Sequence, residues 1–348
     1  MVEKLKIATF NIEWMNDLFK KDEPIFETKH THKRYSGPSI SDIPELCLRI
    51  QKTIQQMDPD ILGIVEGPKH PSQMEKFVQD YLTDQSGDPA YSVIESPSKQ
   101  TQRPYLLVKT NNQINFRRLY DEPRYENLTK SWKFYPWGTY QEEEVKRHWF
   151  NRKPLAVEIS YTDRKFTVIL LHIKSKHIEK KDWKSDIYNS ILARQKITSE
   201  IKKVRDYLDA ALTEEMTRSI IIMGDLNDGP GRDQFEEQFM LQNLIDVIQG
   251  TLLNPEYNVY HVLETYYSNK GVYTIEFTEE TGETKRELLD HILYSPGMLN
   301  GTAEFQYVRG SGKVEHEAYE NNIGNDPDNV RDDRPSDHRP VSCEISLG

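Results

Sequence analysis

The chain has 348 residues, 29% of them charged and 36% hydrophobic, with a formal net charge of −11. That composition supplies a sizeable core and excludes a disordered chain, while the acidity excludes a protein that coats nucleic acid by bulk attraction, which depends on neutralising phosphates. Two cysteines, Cys47 and Cys343, are too few for a disulfide scaffold and favour a reducing interior.

Met1 to Phe10 alternate like a strand and not like a signal sequence, and no run reaches the roughly 18 apolar residues of a membrane span. The chain reads as soluble and untargeted, cytoplasmic or otherwise, with secretion behind a removed leader left open. Along the chain, apolar runs bounded by turn formers predict strands at Lys4 to Asn11, Ile61 to Val65, Tyr105 to Val108, Leu155 to Ile159, Phe166 to His172, Ser219 to Gly224, Leu288 to Tyr294 and Val341 to Ser346. A helix is expected between the first two, where Ile43, Leu46, Cys47, Ile50, Ile54 and Met57 share one face, and a longer one where Ile187, Ile191, Ile197, Ile201, Val204 and Leu208 do the same. Pro, Gly and Asn mark long loops at Thr110 to Lys153 and Gly310 to Pro335. Strands and helices mixed in this order, without an internal repeat, predict a layered α/β domain.

Charge is segregated. Lys174 to Lys203 holds nine Lys/Arg against four Asp/Glu, whereas Asn300 to Asp333 holds three against eight. Polar residues recur at the carboxyl ends of the predicted strands, where α/β sheets tend to place their sites: Asn11 and Glu13, Glu66, His172, Asp225 with Asn227, then Asp290, Asp337 and His338. Singly, each has a plain reading. Glu66 before Gly67 is also an ordinary exposed strand end, Asp225, Asn227 and Asp228 also make an Asx-type turn, His172 is also a half-buried histidine, and Ser336-Asp337-His338 is also a turn before Pro340. Asp290 is harder to dismiss, because a carboxylate among apolar neighbours on a strand is costly to bury unless paired.

Taken together, the set resembles the endonuclease/exonuclease/phosphatase superfamily. The pieces are Thr9-Phe10-Asn11-Ile12-Glu13, Gly63-Ile64-Val65-Glu66, Leu170-Leu171-His172-Ile173-Lys174-Ser175, Met223-Gly224-Asp225-Leu226-Asn227, Leu289-Asp290-His291-Ile292 and Ser336-Asp337-His338-Arg339-Pro340. Six motifs in this order span nearly the whole chain, which argues for one domain over residues 1–348, since the first and last strands then share a site. The resemblance implies a four-layer α/β sandwich, two mixed β-sheets face to face with helices outside. It further implies a divalent-metal-dependent phosphoesterase using Mg²⁺, with Mn²⁺ or Ca²⁺ also acceptable. Glu66 would hold the metal with help from Asn11 and Asp337, and Glu13 would lie beside them. His338 oriented by Asp290 would activate water and contact phosphate, and Asp225 and Asn227 would align nucleophile and phosphoryl oxygen.

A histidine at 172 resembles the deoxyribonuclease-like branch, where it can protonate the leaving oxygen; abasic-site endonucleases carry tyrosine there. Two departures stand out: Val65 replaces a glutamine common in relatives, and Gln102-Arg103 replace a carboxylate that orients the histidine, so Arg103 is assigned to phosphate together with Asn11, Asn227, His172 and Lys174. For substrate, Arg117, Arg118, Lys130, Trp132, Lys133, Trp137, Lys146, Arg147, Trp149, Arg152 and Lys153 interleave cations with rings as a strand-binding groove does, though a solvated excursion reads the same way. Lys174, Lys176, Lys180, Lys181 and Lys184 follow His172 directly. A nuclease acting on nucleic acid is therefore expected first, a phosphatase or phosphodiesterase for a small phosphorylated metabolite or lipid head group second, and a noncatalytic binding protein third.

Overall fold

In the computed structural model, residues 4–34, 36–110, 114–134, 146–176, 178, 182–264, 271–278, 282–328 and 330–348 are described. In chain order the first half runs β1 (Lys4–Asn11), α1 (Ile43–Met57), β2 (Ile61–Gly67), α2 (Pro71–Tyr81), β3 (Tyr91–Glu95), β4 (Arg103–Lys109), β5 (Ile114–Arg118), α3 (Pro123–Thr129), β6 (Trp132–Phe134), β7 (Lys146–His148), β8 (Leu155–Tyr161) and β9 (Arg164–His172). The second half continues with α4 (Trp183–Glu214), β10 (Ile220–Asp225), α5 (Gln234–Gln238), α6 (Leu244–Gln249), β11 (Tyr260–His261), β12 (Ile275–Thr278), β13 (Thr284–Glu287), β14 (Asp290–Tyr294), α7 (Pro296–Asn300), β15 (Phe305–Tyr307), β16 (Lys313–Val314), α8 (His316–Glu320) and β17 (Val341–Leu347). All eight predicted strands and both predicted helices are present, with ends moved by a few residues.

The strands form two mixed sheets, ordered β15-β17-β1-β2-β4-β3 with β16 on β17, and β11-β14-β10-β9-β8-β5. Each contains one parallel pair, β1 with β2 and β9 with β10, and every other ladder is antiparallel. The first and last strands pair from Lys4↔Ser346 to Thr9↔Val341.

Alternation along β1 and β2 sorts their side chains between two environments. Leu5, Ile7, Ile61 and Val65 join the apolar layer between the sheets, with Leu170, Ile222 and Met223 from the other side. Ala8, Phe10, Leu62 and Ile64 point the other way, onto Leu46, Cys47 and Ile50 of α1 and Met74 and Phe77 of α2. Gly63 is small because a Cβ there would meet Leu170 and Met223 of the facing sheet at 2.7 Å. Helix α1 starts where Asp42 accepts the Glu45 N–H at 3.0 Å and ends at Asp58 in the left-handed region. Ile197, Ile201, Val204 and Leu208 bury the inner face of α4, which covers the second sheet.

Three expectations change. Ile187 lies on the first turns of α4 but is 36% exposed, so the apolar stripe begins at Ile191. The segment from Thr110 to Lys153 holds β5, α3, β6 and β7, and that from Gly310 to Pro335 holds β16 and α8, because partners distant in sequence complete them: β5 pairs with β8 and β16 with β17. Lys180, Lys181 and Trp137 lie outside the described residues. No described helix is long and apolar enough to cross a membrane, and Cys47 and Cys343 are both free and buried.

Two histidines fasten the edge of the second sheet. The Leu263 N–H donates to His261 Nδ1 at 3.0 Å, so the His261 proton sits on Nε2 and is donated to His291 Nδ1 at 2.8 Å; His291 Nε2–H then reaches the Asp228 carbonyl at 2.8 Å. The chain works only with both rings neutral. Burial lowers both, His261 well below the ordinary histidine value and His291 to about 4. The unfolded chain takes protons near 6.5 that the folded one refuses until about 4, so this pair loses stability as pH falls through that window. Each histidine should contribute a slope of at most about 1.4 kcal/mol per pH unit. Denaturant melts of the wild type and of His261→Asn between pH 7.5 and 5 measure it: the variant should lose stability less steeply on acidification, and an equal slope would assign the dependence elsewhere.

Candidate active site

The parallel pairs of the two sheets end at the same edge of the molecule. There β1 delivers Asn11, β2 delivers Glu66, β9 delivers His172 and β10 delivers Asp225. Within the second sheet His172, Asp225 and Asp290 form one cross-strand row, since Asp225 faces His172 on β9 and Asp290 on β14. From the first sheet, Asn11 Nδ2 donates to Asp225 Oδ2 at 3.0 Å. The other Asp225 oxygen accepts the Asn227 N–H at 2.7 Å, and Asn227, in the left-handed region, donates its Nδ2 to the Ile173 carbonyl at 3.0 Å.

Asp290, fully buried, accepts from His338 Nδ1 at 2.6 Å. Its neighbours are fixed by Thr274, whose hydroxyl oxygen accepts the Leu289 and Asp290 N–H groups at 3.0 and 3.2 Å. The motif carrying His338 is held by Ser336, which donates to the Asn11 carbonyl at 2.6 Å and accepts the His338 N–H at 3.1 Å. Asp225, Asp290 and His338 bring ligating atoms within 4.8 Å of one another, a grouping that could hold a metal ion.

Glu66 occupies a bulge between Ile64 and Gly67 with φ +58, and its Oε2 accepts the Trp14 N–H at 2.9 Å. Burial raises its pKa, and the charge of Asp337 raises it further. Asp337, 33% exposed, stands with Oδ1 4.0 Å from His338 Nε2. These two carboxylates with the amide oxygen of Asn11 form an all-oxygen donor set of the kind hard divalent cations take. These residues therefore fit the expected metal. Glu13 is clamped by Arg331 and Arg334, each 3.0 Å away, which accounts for its carboxylate beside the site.

The two histidines are in opposite states. Burial lowers His172 well below the ordinary value, and Arg152 and His338 lower it further; its Nδ1 has no hydrogen bond among the described residues. Burial also works against the charge of His338, but Asp290, Asp337 and Asp225 outweigh it and hold that imidazole well above the ordinary value. Burial and Asp290 push Asp225 up, to about 7, with His338 and Asn227 acting in the other direction.

Sequence reasoning grouped Arg152 only with the cations of its loop, yet it reaches this centre. Its guanidinium donates to Gln102 Oε1 at 2.6 Å and to the His172 and Ile173 carbonyls at 3.3 and 3.2 Å, and its charge acts on Glu66 and Asp225. No local pattern marks it. The expected phosphate cations are placed differently: Arg103 donates to the carbonyls of Ser96 and Lys69, Lys174 Nζ to the Ser175 carbonyl, and Lys176 is bound by Asp228, Asp233 and Glu236. Trp132 packs on Phe150 and donates to Ser199, while Arg117 and Arg118 pair with carboxylates.

A model of the Endonuclease/Exonuclease/phosphatase family matches residues 46–338. Among curated proteins none matches the sequence. Solved structures with a similar fold include D. rerio TDP2 complexed with single strand DNA product, at 12% identity and TM-score 0.51 over 99% of both chains. Another is TDP2 from Caenorhabditis elegans, at 12% identity and TM-score 0.53 over 99% of this chain and 75% of that one.

The contact of Arg152 with the His172 carbonyl gives a direct test of what keeps that ring neutral. Removing the cation in Arg152→Gln should raise the His172 pKa, followed by NMR of labelled imidazole in the folded variant. An unchanged titration would leave burial and the charge of His338 as the causes.

Proposed function

Because the chain belongs to the endonuclease/exonuclease/phosphatase family, we propose that it is a divalent-metal-dependent hydrolase of phosphodiester bonds and that its substrate is a nucleic-acid strand. The observation that carries this reading is the convergence of Asn11, His172, Asp225, Asp290 and His338 at one sheet edge beside the Glu66 and Asp337 carboxylates. It takes the whole chain as one domain, in keeping with the pairing of β1 and β17.

Glu66 would hold the cation, Mg²⁺ by preference, with Asp337 and Asn11. When bound there, the cation offsets the negative charge that gathers on the phosphoryl oxygens. Asp225, poised near neutrality and fixed on both oxygens, takes a proton from the attacking water. The His338 imidazolium, held by Asp290, donates Nε2–H to the reacting phosphoryl group and passes that proton to the departing ester oxygen as the P–O bond breaks. Asn227 uses one amide N–H on the Ile173 carbonyl and has a second for a phosphoryl oxygen. His172, being neutral, acts as a hydrogen-bond donor to the phosphate and not as the proton source for the leaving oxygen.

A strand is favoured over a small metabolite by two exposed indoles that flank the centre in sequence, Trp149 just before Arg152 and Trp183 at the start of α4, the latter 70% exposed with Lys184 Nζ 5.5 Å from its ring. Bases stack on such rings while cations meet the phosphates. The single-strand DNA product named for D. rerio TDP2 is consistent with this choice.

Assays with Mg²⁺ or Mn²⁺ on single-stranded DNA, plasmid, RNA, a bis-ester dye and phosphorylated inositols test the reading; cleavage of strands and dye is expected, and turnover confined to a phosphorylated inositol would replace it by a metabolite phosphatase. Glu66→Gln should lower Mn²⁺ affinity by calorimetry and cut turnover by about 10² or more, whereas Asp290→Asn should keep the affinity; the reverse pattern would move the cation to the Asp225, Asp290 and His338 group. The pairing of Asp290 with His338 makes the two losses overlap, so the double variant Asp290→Ala/His338→Ala should be nearly as active as His338→Ala alone. Multiplicative losses would separate them.

A further inference from the structure

Arg339 follows directly on His338, and no step above uses it. Its guanidinium carbon lies 4.7 Å from the ring centre of Tyr273 and 4.6 Å from that of Tyr319, so both rings pack against the group. The residue is 9% exposed, and its Nε is buried without a hydrogen bond. Among the described residues no carboxylate or carbonyl accepts from its side chain. The other arginines of this corner are matched: Arg331 and Arg334 by Glu13, and Arg286 by Glu276. Aromatic faces attract a cation but offer no lone pairs in the plane of the guanidinium, where its five donors point. A charge this buried is costly without an acceptor.

The two rings are tied to the catalytic segments. Tyr319 donates its hydroxyl to the Ser336 carbonyl at 2.7 Å. Tyr273 precedes Thr274, whose hydroxyl holds the Asp290 N–H and whose carbonyl accepts the Arg339 N–H at 2.7 Å. The next residue, Ile275, bridges to His338. A second guanidinium carbon, that of Arg286, lies 4.5 Å from the centre of the same Tyr273 ring, and the centre of the His316 ring is 4.8 Å from it. Arg339 is therefore fixed to the segments that carry Asp290 and His338, and it is the guanidinium of this corner without a carboxylate partner among the described residues.

We propose that Arg339 is an anion-binding residue for a second phosphate of the substrate, the one next to the scissile group, with Tyr273 and Tyr319 holding the fork for bidentate contact. The assignment rests on the phosphodiesterase reading for the identity of its ligand. It makes the number of phosphates, and not the base, the feature this corner selects.

The test compares the p-nitrophenyl ester of thymidine 5′-phosphate with the same ester carrying a 3′-phosphate, together with calorimetric binding of thymidine 3′,5′-bisphosphate and thymidine 5′-monophosphate. The second phosphate should lower KM and Kd by about tenfold, the gain of a charge-assisted contact. Arg339→Gln should erase that advantage and leave the one-phosphate ester unchanged in kcat and KM. In the unsubstituted protein the Arg339 Nε–H resonance should move with the bisphosphate and not with the monophosphate, a readout independent of whether the variant folds. An advantage that survives Arg339→Gln, a loss shared equally by both esters, or an unmoved Nε–H resonance would overturn the subsite. If neither ester is hydrolysed while the bisphosphate still binds through Arg339, the subsite stands and the phosphodiesterase reading falls.

Discussion

The hydrogen bond from Asn11 to Asp225 joins the end of a strand in one sheet to the end of a strand in the other, across 3.0 Å. It is the point from which the rest of the centre takes its position. A carboxylate as deeply buried as Asp225 is tolerated because each oxygen has a donor. Its backbone register then sets His172 on one side and Asp290 on the other. Asn11 in turn passes its carbonyl to Ser336, so the segment bearing Asp337 and His338 is pinned to the same residue. Loss of the amide would leave a buried carboxylate short of a donor.

Most of this was legible because strand ends announce themselves. In β1, β2, β9 and β10 a run of buried aliphatic residues stops at a polar one, and that change of character marks both the end of the strand and the site. Helix α1 was equally plain, with its cap and unbroken apolar face. What escaped had no local signature. Helix α2 presents only a short stripe of Met74, Phe77 and Val78, and its start depends on His70 and Gln73 capping each other. Strand β5 exposes Phe116 and its arginines and is ordered by the ladder it makes with β8. Arg152 looks like any loop cation until the fold brings Gln102 and the end of β9 around it. Such residues are defined by contacts between distant segments, which periodicity cannot report.

The segregated charge of the sequence has a structural use. In the acidic stretch, Asp332 accepts from the Ser41 and Asp42 backbone and from the Ser41 hydroxyl, fastening the start of α1, while Arg331 and Arg334 grip Glu13. In the basic stretch, Lys176 and Arg194 both meet Asp233, and just beyond it Arg205 caps the carbonyls of Ile248 and Tyr257. Much of the local excess is thus neutralised within a few ångströms. Attraction of a polyanion to this chain depends on those cations without a partner, and the run of lysines counted along the sequence overstates their number.

His172 and His338 show how one fold gives two identical side chains opposite chemistry. Both are almost fully buried, so desolvation opposes the charged form of each. The difference lies in what faces them. His338 has Asp290 in direct contact and Asp337 and Asp225 nearby, and their combined field overcomes burial. His172 stands 3.8 Å from carboxylate oxygens of both Glu66 and Asp225, too far for a hydrogen bond, and Arg152 sits against its own backbone carbonyl. One ring therefore carries a proton and the other offers a neutral N–H. A cation held by Glu66 would add to the field of Arg152 at His172, because it acts on that ring with the same sign. The pair is set by charge placement on opposite strands and not by exposure, which is why residue type alone could name both histidines and distinguish neither.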